Sequence, residues 1–231
     1  ADKLTMNVPI PRSIYPATSI NIKRSYWASD EEENKFMNTL FSKLQDSCSR
    51  FDSCADGKER LIRSGMDCFF SEDDAITNIA EYMTSIRELS GVSSASLVVA
   101  YILLERFVAG VFFDFDELVV FSSKSARRLL IAAVFTASKI YDADSPKGFW
   151  SCSRWASIGG VSAEELHRLE CQFVFRMKSI RFYVYRDGFD FAVKELLNPA
   201  FRIEWPGLQP ADAPAEHPPA ATPPVAGGGR V

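Results

Sequence analysis

The sequence predicts an all-α fold, a bundle of five helices with one further helix ahead of it. Three observations predict it. Apolar residues recur at spacings of three and four through most of the chain between 29 and 197. Capping residues stand ahead of several of these segments and glycines behind others. Strand signals are confined to two short runs, 118–121 and 182–185. Neither lies beside a hairpin turn, so both read as links or helix flanks.

The first 28 residues carry Pro9, Pro11 and Pro16 between isolated apolar side chains and read as an extended arm. Ile10, Ile14, Tyr15, Tyr26 and Trp27 are the side chains that would lie over a domain surface. Helix formation is expected near Ser29, where Ser29 and Glu32 offer a capping box and acidic residues crowd the positive helix end. Phe36, Leu40, Phe41 and Leu44 form its apolar stripe. A polar link with Asp52, Ser53, Asp56 and Gly57 completes an N-terminal unit, 29–70.

The main domain is assigned to 71–205. Ser71 to Asp74 repeats the capping pattern, so the first of its helices is expected to start there. Ile76, Ile79, Tyr82, Met83, Ile86 and Leu89 make one face, and Gly91 stops it. Ser93 or Ser94 caps a second helix, apolar around most of its circumference from Leu97 to Phe107, with Gly110 as its end. The third spans 123–141, where Leu129, Leu130, Ala133, Val134 and Ala137 cover a broad face and Ile131 and Phe135 extend it. Coverage that wide means helices enclosed by others. A polar link, 142–154, leads to a fourth helix capped by Ser162 with Glu165 three residues on. The fifth is expected near 188–197. From 206 the composition turns to Pro, Ala and Gly, which cannot bury enough area to offset the ordering entropy.

Composition narrows the chemistry. The 231 residues are 47% hydrophobic, enough for a sizeable core in one domain with extensions. Net charge is −4 and pI 5.4, which disfavours direct nucleic-acid binding. The five cysteines, 48, 54, 68, 152 and 171, are odd in number and form no C-x-x-C pair. With only His167 and His217 beside them, a metal site would need an unusual ligand set, and free thiols fit a reducing compartment. The opening residues carry no signal-peptide run, and the apolar stretches 97–104 and 129–137 fall short of a membrane span. The expectation is a soluble intracellular protein of the cytoplasm and/or nucleus, without membrane contact. Gly159-Gly160 lacks the rest of a phosphate-loop fingerprint and reads as a tight entry into the Ser162-capped helix. No catalytic residue, cofactor or metal is assigned, and the chain is not expected to be an enzyme.

The text of the domain resembles the cyclin box. The stretch Ile79 to Met83 is similar to the first box helix, and Val99 to Phe107 to the family's ALIYLDRL helix. Arg127-Arg128-Leu129-Leu130 followed by Ala137-Ser138-Lys139 is similar to HRLLL…ASK. Trp155 to Ser162 is similar to YAKVGGIS, and Glu165 to Glu170 to ELNRLE. The pieces recur in order over roughly 71–182, and the resemblance is nearest to single-box cyclins of the phosphate-signalling, P- or U-type. Departures are Glu105 for an aspartate, Arg128 after Arg127 where His-Arg is common, Trp155 for a tyrosine, and no paired asparagines before it.

The resemblance implies a partner, a cyclin-dependent protein kinase, and no small-molecule cofactor. The implied function is allosteric activation of that kinase in cell-cycle or nutrient-signalling control. A cyclin-like helical interaction or transcription-factor scaffold without kinase activation is the alternative. By resemblance Lys139 and Glu170 contact the kinase around its regulatory helix; alternatively they pair with each other. Phe175 joins them as a contact, and Phe189, Phe191 and Val193 of the fifth helix are contact candidates or core. Asp142 or Asp144 would by position meet an arginine of the kinase, or belong to a solvated loop with Lys147 and Arg154. Structural roles go to Gly159, Gly160 and Ser162, and to Glu105, whose implied internal ion pair has Arg106 or Arg87 as candidate partners.

Overall fold

The computed structural model describes residues 27–52, 67–111, 119–142, 151–177 and 182–203, with the backbone of 112–115. Among them are seven α-helices and no strand: α1 Asp30–Asp52, α2 Ile79–Ser90, α3 Ser94–Phe115, α4 Ser123–Tyr141, α5 Cys152–Gly159, α6 Ala163–Met177 and α7 Arg186–Leu197. The arm before Trp27, the tail from 206 and Asp144 lie outside the described residues.

α1 starts where its capping residues place it. Ser29 Oγ accepts the Glu32 N–H at 3.2 Å, and Glu32 Oε2 accepts that of Ala28 at 2.9 Å. Its stripe of Phe36, Met37, Leu40, Phe41 and Leu44 is buried, and Trp27 packs its ring 5.6 Å from that of Phe36. α1 lies chiefly on α2 and also touches α4 and α7.

The first box helix begins later than its sequence suggests. Asn78, whose side chain accepts the Glu81 N–H at 3.0 Å, caps α2. Residues 71–76 instead run beside the start of α4: Ser71 N–H bonds Lys124 O at 2.9 Å and Ile76 N–H bonds Ser123 O at 3.0 Å. Asp74 Oδ2, expected in a capping box at Ser71, accepts from Arg128 Nη2 at 3.0 Å and from the Ser71 hydroxyl at 3.4 Å. Tertiary bonds have outcompeted a local cap. Gly91, at φ 65°, ends α2. Leu89, expected on the buried face, is 58% exposed.

α3 continues past Gly110 to Phe115. A mid-helix glycine costs about 1 kcal/mol against alanine. Full burial of Phe107, Val108 and Val111 around it outweighs that, since each large apolar side chain buried contributes about 1.5–3 kcal/mol. The helical stretch Ser94–Val111 is long and apolar enough to cross a membrane, contrary to the sequence reading, and 83% of it is buried inside the protein. Its apolarity is that of a central helix.

α4 is the other central helix, with every residue from Leu129 to Ser138 buried. Ser122 and Ser125 cap it reciprocally, a serine standing where a capping box usually has Glu or Gln. The supposed link 142–154 ends in α5, two turns begun by Ser151, whose Oγ accepts the Arg154 N–H at 3.3 Å. Eight residues are too few for a periodic pattern to declare itself. α6 packs on α4, α5 and α3, and α7 on α3 and α1. Phe107 of α3 stacks on Phe173 of α6 with centroids 4.5 Å apart, and Phe69 meets Phe107 edge-on at 5.5 Å.

Candidate functional site

Lys139 lies in the last turn of α4, where a cation complements the helix dipole. Its stem runs along buried Phe135, and Nζ stands 4.5 Å from that ring's centroid. Phe135 is braced by Trp155 of α5, 5.9 Å away. Glu170 borders the buried stripe Leu166, Leu169 and Phe173 of α6. The packing of α4 on α6 brings the two charges together: Lys139 Nζ donates to Glu170 Oε1 at 2.5 Å. The lysine side chain is 38% exposed and the glutamate 14%, so the pair sits half in water, with the cation outward.

The surroundings are thiol and apolar. Cys152 opens α5 half-buried, and Cys171 follows Glu170 exposed. Both thiols are pushed up from their ordinary range, first by withdrawal from water and then by the Glu170 carboxylate, with Lys139 opposing. They are held as neutral thiols beside the pair. One turn beyond Glu170 and Cys171 stand Val174, 40% exposed, and Phe175, 72% exposed. A partly exposed ion pair thus adjoins an uncovered apolar patch on a rigid helix. Phe175 points outward, free to contact a partner. In α7, Phe191 is 66% exposed, whereas Phe189 and Val193 are core.

Asp142 has an internal task. Its Oδ2 accepts the Ser93 N–H at 3.0 Å and its Oδ1 the Ser93 hydroxyl at 2.8 Å. Ser93 Oγ in turn accepts the Ser96 N–H at 3.1 Å, so the end of α4 is latched to the capped start of α3. Arg154 lies just inside α5 and His167 is exposed, its Nε2 3.7 Å from Cys171 Sγ.

Arg87 and Arg106 both bond elsewhere than Glu105. Arg87 pairs with Glu33 at 3.1 Å and bonds Asn34 at 2.8 Å, joining α2 to α1. Arg106 donates to Tyr183 O at 2.8 Å, holding the segment ahead of α7. Glu105 receives a long bond from Tyr101 OH, 3.5 Å. Its carboxyl is raised above the ordinary range, chiefly by withdrawal from water, against the Tyr101 bond and the Arg106 charge.

Gly160, at φ 70°, ends α5, with its N–H on Ala156 O. Gly159 is required by space: a Cβ there would stand 2.4 Å from Ile131 Cγ1. Tyr82 OH donates to Gly159 O at 3.0 Å. Ser162 caps α6 by accepting the Glu165 N–H at 3.0 Å.

The ion network that sequence reasoning missed is centred on Arg128, 9% exposed. Its Nε donates to Glu165 at 2.6 Å and its Nη2 to Asp74 at 3.0 Å. The available signal was a charge inside a helix apolar all round, which must find partners when buried. Among the described residues no three His, Cys, Asp or Glu side chains come together as metal ligands would.

Residues 16–179 match the family model described as Cyclin. The chain is similar to Cyclin-U4-3 of Arabidopsis thaliana, 33% identical over 98 residues, 42% of this chain and 41% of that protein. It is similar to Cyclin-U3-1 of the same plant, 26% identical over 134 residues, 56% of this chain and 55% of that one. It is similar also to Cyclin-P3-1 of Oryza sativa subsp. japonica, 31% identical over 100 residues, 43% of this chain and 38% of that protein. The alignments thus reach over about half, or less, of the length of these relatives.

Proposed function

This chain belongs to the cyclin family, near its U- and P-types, and from that premise we propose that it binds a cyclin-dependent protein kinase and activates it allosterically. The observation that carries the proposal is the Lys139–Glu170 pair beside exposed Val174 and Phe175. Fast phosphoryl transfer requires the kinase's own lysine–glutamate pair closed and its activation loop placed. A stiff helical partner holds the mobile kinase helix inward. Lys139 offers ammonium donors and Glu170 carboxylate acceptors to backbone groups of that segment, while Phe175 supplies an apolar anchor. The site rides on α4 and α6, whose packing keeps the ordering cost of binding low. Such a role needs no catalytic group on this chain. It places the protein inside the cell with its kinase, in control of the cell cycle or of nutrient signalling.

Affinity purification of the chain followed by mass spectrometry, and then calorimetric titration and a kinase assay with the captured kinase, tests this. Stoichiometric binding with increased phosphorylation of a peptide substrate is expected. Binding without activation would leave the scaffold reading. The internal closure of Lys139 on Glu170 favours a second reading of the pair, as a structural tie between α4 and α6. Binding unchanged in both alanine variants, with lowered melting temperature, would support it.

A further inference from the structure

Two buried aromatic residues stand behind the ion pair. Phe135 is 1% exposed and Trp155 2%, so no group of a partner reaches either. Phe135 precedes Lys139 by one helical turn, the spacing that puts two side chains of a helix on one face. Lys139 Nζ stands 4.5 Å from the centroid of its ring. That is inside the range of about 6 Å over which a ring face attracts a cation. Trp155 of α5 meets the Phe135 ring at 5.9 Å, with the two planes tilted by 53°. α5 packs on α4 and on α6, so Trp155 enters from an element fixed against both helices that carry the charges. Its Nε1 is buried and meets no acceptor among the described residues, so the indole contributes its apolar rings here and no hydrogen bond.

A ring in that place does something for Lys139 that an aliphatic residue would not. A lysine ammonium rides on a flexible four-carbon stem and loses much rotamer freedom when it is fixed. A contact to Glu170 Oε1 by itself would leave Nζ able to swing about one oxygen. The Phe135 face adds a contact from α4, where the carboxylate comes from α6. The ring is neutral, so it steadies the ammonium without cancelling its charge. With 38% of the lysine side chain in water, the cation stays within reach of a partner. A side chain ordered before binding has less freedom to lose on binding.

We propose that Phe135, braced by Trp155, is a positioning residue of the kinase-binding surface. Its ring face sets where the Lys139 ammonium stands, so that the lysine is ordered before the kinase arrives. The inference rests on the reading of Lys139 as a kinase contact. It adds that part of the binding strength comes from a residue that never touches the kinase.

The test is Phe135→Leu in the full chain, which keeps a large apolar side chain and removes the ring face. Its first readout needs no kinase. Protons over an aromatic face resonate upfield, so the side-chain methylene signals of Lys139, identified by their loss in Lys139→Ala, should lie upfield of other lysines in the free parent chain. In Phe135→Leu they should return to the ordinary lysine position. The second readout is calorimetric titration against the captured kinase, with circular dichroism to confirm the fold of each variant. Phe135→Leu should weaken binding by about two- to fivefold, the strength of a partly exposed contact between cation and ring. On the Lys139→Ala background the same change should cost nothing further, a coupling that a residue serving only as core would not show. Lys139 signals at ordinary positions in the parent chain would overturn the proposal, and this holds even if Phe135→Leu fails to fold. An equal loss of affinity on both backgrounds would also overturn it and make Phe135 a core residue alone, with Lys139 still a contact. Unchanged affinity in Lys139→Ala would instead remove the kinase reading, and the proposal with it.

Discussion

Arg128 Nε donates to Glu165 Oε1 at 2.6 Å, and through this bond α4 is tied to the first turn of α6. The two side chains are 11% and 19% exposed, so the pair is largely removed from water. Removing one member of a buried pair leaves the other charge desolvated and typically costs about 3–5 kcal/mol. Glu165→Ala should therefore lower stability by about 3 kcal/mol, the smaller end, because Asp74 still faces Arg128. Urea unfolding followed by circular dichroism measures it. A loss below half of that would mean the pair contributes no more than a surface one.

Lys139→Ala and Glu170→Ala should each weaken kinase binding by about 2–5 kcal/mol, or roughly thirtyfold and more, with the helical fold retained. Calorimetric titration of the folded variants against the captured kinase gives the figure. Phe175→Ala should act in the same direction with no fall in melting temperature, since 72% of that residue is already in water. Unchanged affinity in all three variants would remove this surface from the interface.

Asp142→Ala should destabilise the chain by about 1 kcal/mol, the usual cost of a lost cap interaction, because both carboxylate oxygens are engaged by Ser93. If Asp142 instead met a kinase arginine alone, stability would hold and affinity would fall. Thermal melts and titrations on one preparation separate these outcomes.

Gly159→Ala should cost about 1–3 kcal/mol through overpacking, as the new methyl group would meet Ile131 in a fully buried position. Ile131→Ala clears that space at the expense of a cavity. The double variant should therefore be less damaged than the two single losses added together, a coupling that a double-mutant cycle of unfolding free energies reads directly.

Glu105 provides a pH test. Its carboxyl is raised above the unfolded value chiefly by withdrawal from water, with Glu195 adding and Tyr101 and Arg106 opposing. A raised carboxyl means that the folded state holds the proton more tightly. The associated stability is complete below the unfolded pKa and is lost as pH climbs through the folded one. Glu105→Gln should accordingly melt higher than the parent at pH 7, with the gap closing toward pH 4. The shift should be small because part of the side chain is in water. A gap that widens toward acid would show the charged form to be the stabilised one.

Much of the fold was legible because it is governed by short-range rules. Ser29, Ser93 and Ser162 start helices where their side-chain oxygens meet orphan N–H groups, and Gly91 ends one with left-handed backbone, whereas Gly160, read from the sequence as an entry into the next helix, ends α5. Near-continuous apolar coverage identified α3 and α4 as central. The order of motifs from Ile79 to Glu170 carried the family, and the position of Lys139 and Glu170 on rigid helices followed from it.

What tertiary structure alone decided are the cases where a long-range partner won over a local one. Ser71 to Asp74 carry a cap pattern and start no helix, because the start of α4 takes the backbone N–H groups of Ser71 and Ile76, and Arg128 shares the Asp74 carboxylate with the Ser71 hydroxyl. Glu165 stands at the capping-box position of α6, yet its carboxylate goes to Arg128. Gly110 ends nothing, since burial of its neighbours outweighs its weak propensity. Asp142, Arg87 and Arg106 found partners 49, 54 and 77 residues away. Local sequence reports which bonds a residue can make with its neighbours. It does not report which distant group will arrive within 3 Å, and in a buried site that arrival decides where a charge is spent.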